Sequence, residues 1–142
     1  EFLPACLEGA RIARDAGCHL EIVTTVIPGW NDDEAQIRGL ARFIRDELGG
    51  ETPWHVTAYH PALELREPPT PAATIRRIVQ LGREEGLKQV FSGNLADDAD
   101  SATLCPGCGI ALIRRQGFSV RENRVKKGRC PECGYTLNSY RE

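Results

Sequence analysis

EIVTTVIPGWNDDEAQIRGLARFIRDEL, residues 21–48, changes partway along from the pattern of a strand to that of a helix. The segment 19–27 is dense in β-branched residues and closes with Pro28-Gly29, which is typical of a mostly buried strand followed by a turn. Asn31, Asp32 and Asp33 then offer N-cap oxygens, and apolar residues recur at helical spacing as far as Gly49-Gly50. The stretch therefore predicts one strand joined by a tight turn to an amphipathic helix.

The same alternation continues on both sides of this unit. A helix is predicted over 3–16, stopped by Gly17, and a strand over 54–59 follows the central unit. Thr70-Pro71 is predicted to start another helix with Thr70 as its N-cap, and a strand over 88–91 comes last. This order is typical of βαβ units, so the fold class is α/β with a parallel sheet.

Three parallel strands leave both edges of a sheet open. The pattern therefore predicts one side of a larger sheet or barrel. The sequence contains no methionine, not even at position 1, and we expect the numbering to begin inside a longer chain.

Two matching turns, CPGCG at 105–109 and CPECG at 130–134, place four thiols in C-x2-C pairs. Such pairs are typical of a tetrahedral zinc site, and the predicted ligands are Cys105, Cys108, Cys130 and Cys133. Between the pairs, the chain is expected to form a hairpin that turns at Gly117. Two disulfides or four unrelated thiols are the plain alternatives, and a rubredoxin-like iron site also stays open. Four thiolates leave no open coordination position, so the metal is expected to be structural.

Charge divides the chain in the same place as these motifs. Residues 1–104 carry 10 Lys and Arg against 17 Asp and Glu, a balance of −7, whereas residues 105–142 carry 8 against 3, a balance of +5. The predicted organisation is an α/β segment over 1–94, a linker over 95–104 and a zinc ribbon over 105–142. The ribbon's basic side chains could bind a phosphate backbone, although a solvated surface is the plainer interpretation; they are Arg114, Arg115, Arg121, Arg124, Lys126, Lys127 and Arg129.

No apolar run is long enough for a membrane span, and the first residues lack the pattern of a signal peptide. We therefore expect a cytoplasmic protein without a membrane partner.

Five segments in the same order resemble one family. They are IVTTVIPGWNDDEAQIRGLARFI (22–44), PWHVTAYHP (53–61), PPTP (68–71), VFSGN (90–94) and GFSVRENRVKKGRCPECG (117–134). Together they are similar to the C-terminal half of radical S-adenosylmethionine (SAM) enzymes of the AmmeMemoRadiSam type, relatives of the pyruvate formate-lyase activating enzyme. The linker and the tail, TLNSYRE, depart from the family pattern.

The resemblance implies the late strands of a partial (β/α)6 barrel followed by a small β-rich zinc ribbon. It implies an enzyme that cleaves SAM at a [4Fe–4S] cluster to give a 5′-deoxyadenosyl radical. The family's C-x3-C-x2-C cluster motif does not occur in this sequence, and Cys6 and Cys18 are expected to be buried small residues. The resemblance thus implies a fragment that is inactive alone, with SAM and the [4Fe–4S] cluster belonging to the full-length enzyme.

Three residues carry the implied SAM contacts. Val26 and Ile27 match the family's fifth-strand end beside adenine, and His60 matches a histidine near the ribose and methionine groups. Both positions follow predicted strands, and ligands of parallel sheets bind at the carboxyl ends of strands. Trp30 and Trp54 are expected to be packing groups.

A protein substrate, or other proteins of the AmmeMemo system, are the partners that the resemblance implies. The alternative function is a stand-alone zinc-ribbon module that binds nucleic acid or protein. A third hypothesis is a non-catalytic scaffold formed by a decayed barrel.

Overall fold

The computed structural model describes residues 2–95, 102–117 and 119–137. Its first part, the α/β module (residues 2–95), contains three helices and three strands. They are α1 (Phe2–Asp15), β1 (Ile22–Val26), α2 (Glu34–Phe43), β2 (Trp54–Ala58), α3 (Ala72–Glu84) and β3 (Val90–Gly93). The predicted elements are thus all present, and the mixed α/β class is confirmed.

The three strands form a parallel sheet in the order β1-β2-β3. Val26 lies opposite Ala58, and Thr57 lies opposite Gly93, so the three carboxyl ends meet at one edge. The predicted strand over 88–91 begins and ends two residues later than expected, at Val90–Gly93. This places Asn94 directly after the strand.

Helices cover one face of this sheet. Strand β2 alternates between fully buried side chains that face the helices, such as Trp54 and Val56, and half-buried side chains on the other face. The apolar stripes of α2 and α3 complete the core with Ile37, Ala41, Ile44, Ile75, Ile78 and Val79. One face of the sheet is therefore a packed core, and the other is open in the part of the chain described.

Local capping explains where α2 begins. Asp33 is its N-cap and accepts hydrogen bonds from the amides of Ala35 and Gln36. After Phe43 the helix continues as a π-helical turn over Ile44–Gly49, and nothing in the residue pattern marks this widening.

The expected cap of α3 is wrong. Pro71 occupies the N-cap position, and no side chain caps this helix. The hydroxyl of the buried Thr70 instead donates to the carbonyl of Val26 and accepts from the amide of Tyr59, 2.9 Å away. Thr70 thus ties the ends of β1 and β2 together, because two buried backbone groups there need partners.

The second part, the ribbon (residues 103–137), has an antiparallel sheet of β4 (Thr103–Leu104), β5 (Ala111–Gln116) and β6 (Ser119–Asn123). Gly117 lies at the predicted turn with φ 56°. Strand β4 falls inside the predicted linker, since Thr103 pairs with Ile113, and residues 96–101 lie outside the described part. Leu112 and Leu137 form a small core with two of the cysteines.

Among the described residues, no helix combines the length and the apolar character that crossing a membrane would require.

Candidate metal centre and sheet edge

The four predicted cysteine ligands lie together in the ribbon. Their sulfur atoms are all within 4.8 Å of one another. The shortest separations are 3.5 Å from Cys105 to Cys133 and 3.7 Å from Cys108 to Cys130. A tetrahedron with metal–sulfur bonds of about 2.3 Å has sulfur–sulfur edges of about 3.8 Å. The arrangement therefore fits one four-coordinate metal ion and not a pair of disulfides.

Two turns of the same geometry build this centre. In each, the amide of the glycine after the second cysteine donates to the carbonyl of the first cysteine, at 2.8 Å for Gly109 and 3.0 Å for Gly134. Both glycines have left-handed backbones, with φ of 75° and 74°. Because other residues adopt this conformation only at a cost, the repeated glycine fixes how each pair of thiols is aimed.

The two cysteines of each turn differ in solvent exposure, and they do so in the same order in both turns. The first cysteine of each turn is buried, and the second is exposed. Burial opposes ionisation of Cys130, but amides of its own turn outweigh it and lower the pKa of this thiol to about 7. At Cys108 the Ile110 amide lowers the pKa, yet partial desolvation by the surrounding turn and the neighbouring thiols raise it to about 12. Four thiolates this close repel one another, so a bound cation is what allows all four to ionise.

Tyr135 connects this centre to the α/β module, and the sequence patterns did not reveal it. Its hydroxyl donates to the carboxylate of Glu51, and Lys88 places its ammonium 3.3 Å from the Tyr135 oxygen. The Lys88 nitrogen also lies 5.6 Å from the centre of the tyrosine ring. A side chain on Gly107 would meet that ring at 3.0 Å, so the first cysteine turn needs glycine there. Tyr135 is 47 positions from Lys88 and 84 positions from Glu51 along the chain, so only folding brings these three residues into contact.

The carboxyl edge of the sheet holds the residues that were predicted to contact SAM. Val26 is fully buried in the core, whereas Ile27 and His60 lie nearer the surface. Nε2 of the exposed His60 lies 3.0 Å from the backbone carbonyl of Asn94, to which it donates. At this edge the side chains of Ile27 and His60 are therefore accessible to solvent, whereas that of Val26 is packed in the core.

Asparagine side chains fasten two of the loops at this edge. The Asn31 side chain accepts from the amide of Ile27 at 2.7 Å and donates to the carbonyl of Thr25, which closes the Pro28-Gly29 turn. Asn94, with φ 59°, donates to the carbonyl of Ala58. Asn94 therefore caps the turn after β3.

Three expectations about single side chains need correction. Cys6 and Cys18 are exposed and lie outside the four-cysteine group. Trp30 was expected to be a packing group, but it is 61% exposed in the loop after β1. Trp54, by contrast, is fully buried, and its indole donates to the Thr24 hydroxyl. Tertiary packing determines whether each of these side chains is buried, because the residue type alone does not specify which neighbours surround it.

His55 of β2 lies on the open face of the sheet. Its Nε2 is 2.9 Å from Glu21, and its ring stacks on Phe91 with centroids 5.2 Å apart. Glu21 also contacts His19 at 3.0 Å. Burial opposes ionisation of Glu21, but the hydrogen bonds from the two histidines outweigh it and lower its pKa.

Comparison with known proteins gives one informative relative. The chain is 37% identical over 139 residues to the uncharacterized protein MJ0808 of Methanocaldococcus jannaschii. No family model matches the chain. The matched region covers 96% of this chain but only 42% of that relative's length. Nearly the whole of this chain is therefore similar to less than half of a longer archaeal protein.

Proposed function

We propose that this chain is the later part of the partial (β/α)6 barrel of a radical SAM enzyme related to the glycyl-radical activases, with a zinc ribbon attached. The observation that carries the proposal is the parallel sheet in sequential order with helices on a single face. Right-handed crossovers between sequential strands put every helix on the same side, as in a barrel wall. A doubly wound sheet would carry helices on both faces.

The open face has the character expected of a barrel interior. Thr25 and Thr57 contact each other through their hydroxyls at 3.2 Å. Val23 is 64% exposed on the same face. Gly93 leaves room for the Thr57 side chain on this face, since a Cβ atom at position 93 would lie 2.9 Å from it. In this proposal, further strands lie opposite these polar and apolar side chains, because a barrel interior is filled by residues from several strands.

An open edge also supports further strands. Among the described residues no strand pairs with the outer edge of β1. A groove of about 830 Å³ lies along this edge between α1, β1 and α2, lined by apolar residues such as Leu7, Leu40 and Phe43. The greater length of the archaeal relative accords with a protein that has more elements than this chain supplies.

In radical SAM enzymes, SAM is cleaved reductively at a [4Fe–4S] cluster. The cysteines of these 142 residues do not provide a site for that cluster. Cys6 and Cys18 are separated by 11 residues and both are exposed, while the other four cysteines occupy their own site. The proposal therefore requires cluster ligands from outside this chain. In this proposal the chain contributes the part of the SAM site that contacts adenosine, where Ile27 and His60 lie at the carboxyl edge of the sheet.

The ribbon in this proposal is structural, with zinc as its metal, and helps to position a protein substrate. Four thiolates complete the coordination of the ion, so it takes no part in the reaction.

The test uses the complete protein. Its reading frame should contain a C-x3-C-x2-C motif. The anaerobically reconstituted protein, given dithionite and SAM, should release 5′-deoxyadenosine, measured by chromatography, and a triple Cys→Ala variant of that motif should not. A reading frame without the motif, or a reconstituted protein that leaves SAM intact, would contradict the proposal and favour the stand-alone ribbon module or the scaffold.

A further inference from the structure

We propose that the turn Lys126–Arg129 of the ribbon is a docking tip for the phosphate backbone of nucleic acid. The inference is independent of the radical SAM proposal. It rests on the geometry of this turn, on the charges that surround it and on its attachment to the metal centre.

The tip is a tight, rigid turn. Lys126 and Arg129 exchange both backbone hydrogen bonds at 3.0 Å, so only two residues, Lys127 and Gly128, connect them. Both connecting residues have positive φ, 49° and 69°, which is the pattern of a type I′ turn. Arg129 also pairs with Thr136, and Cys130 follows at once as a metal ligand. The turn is therefore held in place by the centre itself.

Lysine is an unusual choice for the first of these two positions. Asparagine, aspartate and glycine are the residues that tolerate positive φ there, and lysine adopts it only at a cost. Strained residues of this kind persist where their side chain serves a purpose other than stability. Here the residue with positive φ carries an exposed ammonium group.

The tip carries three cations for which the described part of the chain supplies no counterion. Lys126, Lys127 and Arg129 are exposed, and no acidic side chain pairs with them within the described residues. Hydrogen-bonded partners across a hairpin lie about 5.5 Å apart at their Cα atoms, with side chains on the same face. Lys126 and Arg129 are such a pair and could hold one phosphate between them.

A linear polyanion fits this tip better than an acidic protein surface does. The same hairpin carries further cations, Arg114 on β5, Arg121 on β6 and Arg124 directly after β6. Two of them make only exposed ion pairs, with Glu132 and Glu122, which a phosphate can replace because such pairs are weak. Several cations in one small module can meet the repeating charge of a phosphodiester chain. Tyr135, the aromatic residue of the ribbon within the described part of the chain, is engaged with Glu51 and is not free to stack on a base.

The experiment measures fluorescence anisotropy of a labelled 20-nucleotide single-stranded RNA with the zinc-loaded full chain. Three phosphate contacts on a single strand predict that affinity falls roughly twentyfold between 50 and 200 mM KCl. The variant Lys126→Gln/Lys127→Gln/Arg129→Gln should bind at least about tenfold more weakly at 50 mM and lose most of this salt dependence. Its zinc content and circular dichroism should match the wild type, which shows that the ribbon still folds.

A charge-matched control is Arg14→Gln/Arg76→Gln/Arg77→Gln, which removes three cations from the helices and should bind RNA within twofold of the wild type. A second variant, Lys127→Asn, creates the Asn-Gly pair that type I′ turns favour. It should keep or raise the ribbon's midpoint of thermal unfolding while weakening RNA binding, which separates the role of the cation from that of the fold.

Three results would overturn the proposal. The first is a dissociation constant above about 100 µM for the wild type at 50 mM KCl, weaker than ordinary non-specific binding. The second is equal losses in the tip variant and its control. The third is tighter binding of a 20-residue polyglutamate than of RNA, which would identify the tip as a docking site for an acidic protein instead.

Discussion

Two glycines in the middle of helices have opposite surroundings. Gly82 in α3 lies against the core, where a side chain would meet Trp54 at 2.9 Å and Val90 at 3.2 Å. Gly39 in α2 has no neighbouring atom within 4 Å of the place where a side chain would begin. At Gly82 the absence of a side chain is thus a packing requirement, whereas at Gly39 it only weakens the helix.

Alanine at these two positions should therefore have opposite effects. Gly39→Ala should stabilise the chain by up to about 1 kcal/mol, the difference in helix propensity. Gly82→Ala gains the same propensity but overpacks the core, so it should be less stable than Gly39→Ala by about 1–3 kcal/mol. Urea unfolding of both variants measures the difference. Equal stabilities would show that Trp54 moves aside without cost.

His60 allows a test of the proposed SAM site at the level of one side chain. Under the proposed function, His60→Ala in the complete protein should weaken SAM binding about tenfold, because the proposed polar contact with the ligand is lost. Cluster content should stay the same, since this chain holds no cluster ligand. His19→Ala is the control, because His19 precedes β1 and so lies toward the opposite edge of the sheet. Calorimetric titration with SAM gives the affinities, and an unchanged affinity in His60→Ala would remove this residue from the site.

At the scale of elements, hydrogen bonds join the sheet's carboxyl edge to the start of α3, and charges join α2 to α3. Thr70 makes the first connection through Val26 and Tyr59. Arg38 and Arg42 make the second by binding the Glu85 carboxylate at 2.8 and 3.0 Å. These two connections hold the helices in the positions that leave the other sheet face open.

Replacing Thr70 with valine should destabilise the α/β module strongly. The change keeps the shape of the side chain but leaves the Val26 carbonyl and the Tyr59 amide buried without their partner, at about 1–3 kcal/mol for each group. Thr70→Ser keeps the hydroxyl and loses one methyl, about 0.8 kcal/mol. Chemical denaturation of the two variants should separate them clearly. If valine costs no more than serine, water has replaced the hydroxyl.

The Glu85 connection should make stability depend on pH in the acid range. Hydrogen bonds from Arg42 and Arg38 lower the pKa of Glu85 below its ordinary value of 4.5. The unfolded chain then binds a proton more readily than the folded one, so this stabilisation is complete above pH 4.5 and is lost as pH falls through the folded-state pKa.

The variant Glu85→Gln should consequently unfold at lower urea than the wild type at pH 7, and the two midpoints should converge as the pH falls below 4.5 and through the folded-state pKa of Glu85. Glu64→Gln, at an exposed loop position, serves as the control and should follow the wild type throughout. A difference between Glu85→Gln and the wild type that stays constant across this pH range would assign the effect to packing and not to charge.

On the scale of the whole molecule, the described residues form two cores of different origin. The α/β module buries a continuous apolar cluster between helices and sheet, whereas the ribbon has Leu112, Leu137 and two cysteines at its centre. Tyr135, Glu51 and Lys88 form a polar contact between the two parts. The ribbon should therefore depend on its metal for stability, and the α/β module should not.

Removal of the metal by a chelator should unfold residues 103–137 and leave the helices intact. Ellipticity at 222 nm should hold nearly constant while hydrogen exchange rises sharply in the ribbon. Cys130→Ser should behave like the chelated protein, whereas Cys6→Ser/Cys18→Ser should still bind one metal ion. Metal analysis of the purified protein distinguishes zinc from iron. Uniform loss of helical signal on chelation would mean that the two parts fold as one unit.

The amino-acid sequence by itself determined what depends on neighbours along the chain. The spacing of apolar residues and the runs of β-branched residues located every helix and strand of the α/β module. The repeated CPxCG turns located the candidate metal ligands, and Gly117 located the hairpin turn. These features are local, because a helix repeat, a capping oxygen or a C-x2-C turn involves residues a few positions apart. The identity of the metal and contact with SAM stay predictions.

Only the tertiary structure decided which surroundings each residue has. Thr70 follows the pattern of a cap but bonds Val26, 44 positions away, because buried backbone groups at the strand ends needed a partner more than the helix did. Trp30 and Trp54 are the same residue type, yet one is exposed and the other buried. Tyr135 and Glu51 meet across 84 positions. Such contacts arise from the global arrangement of elements, and no periodicity along the chain encodes them.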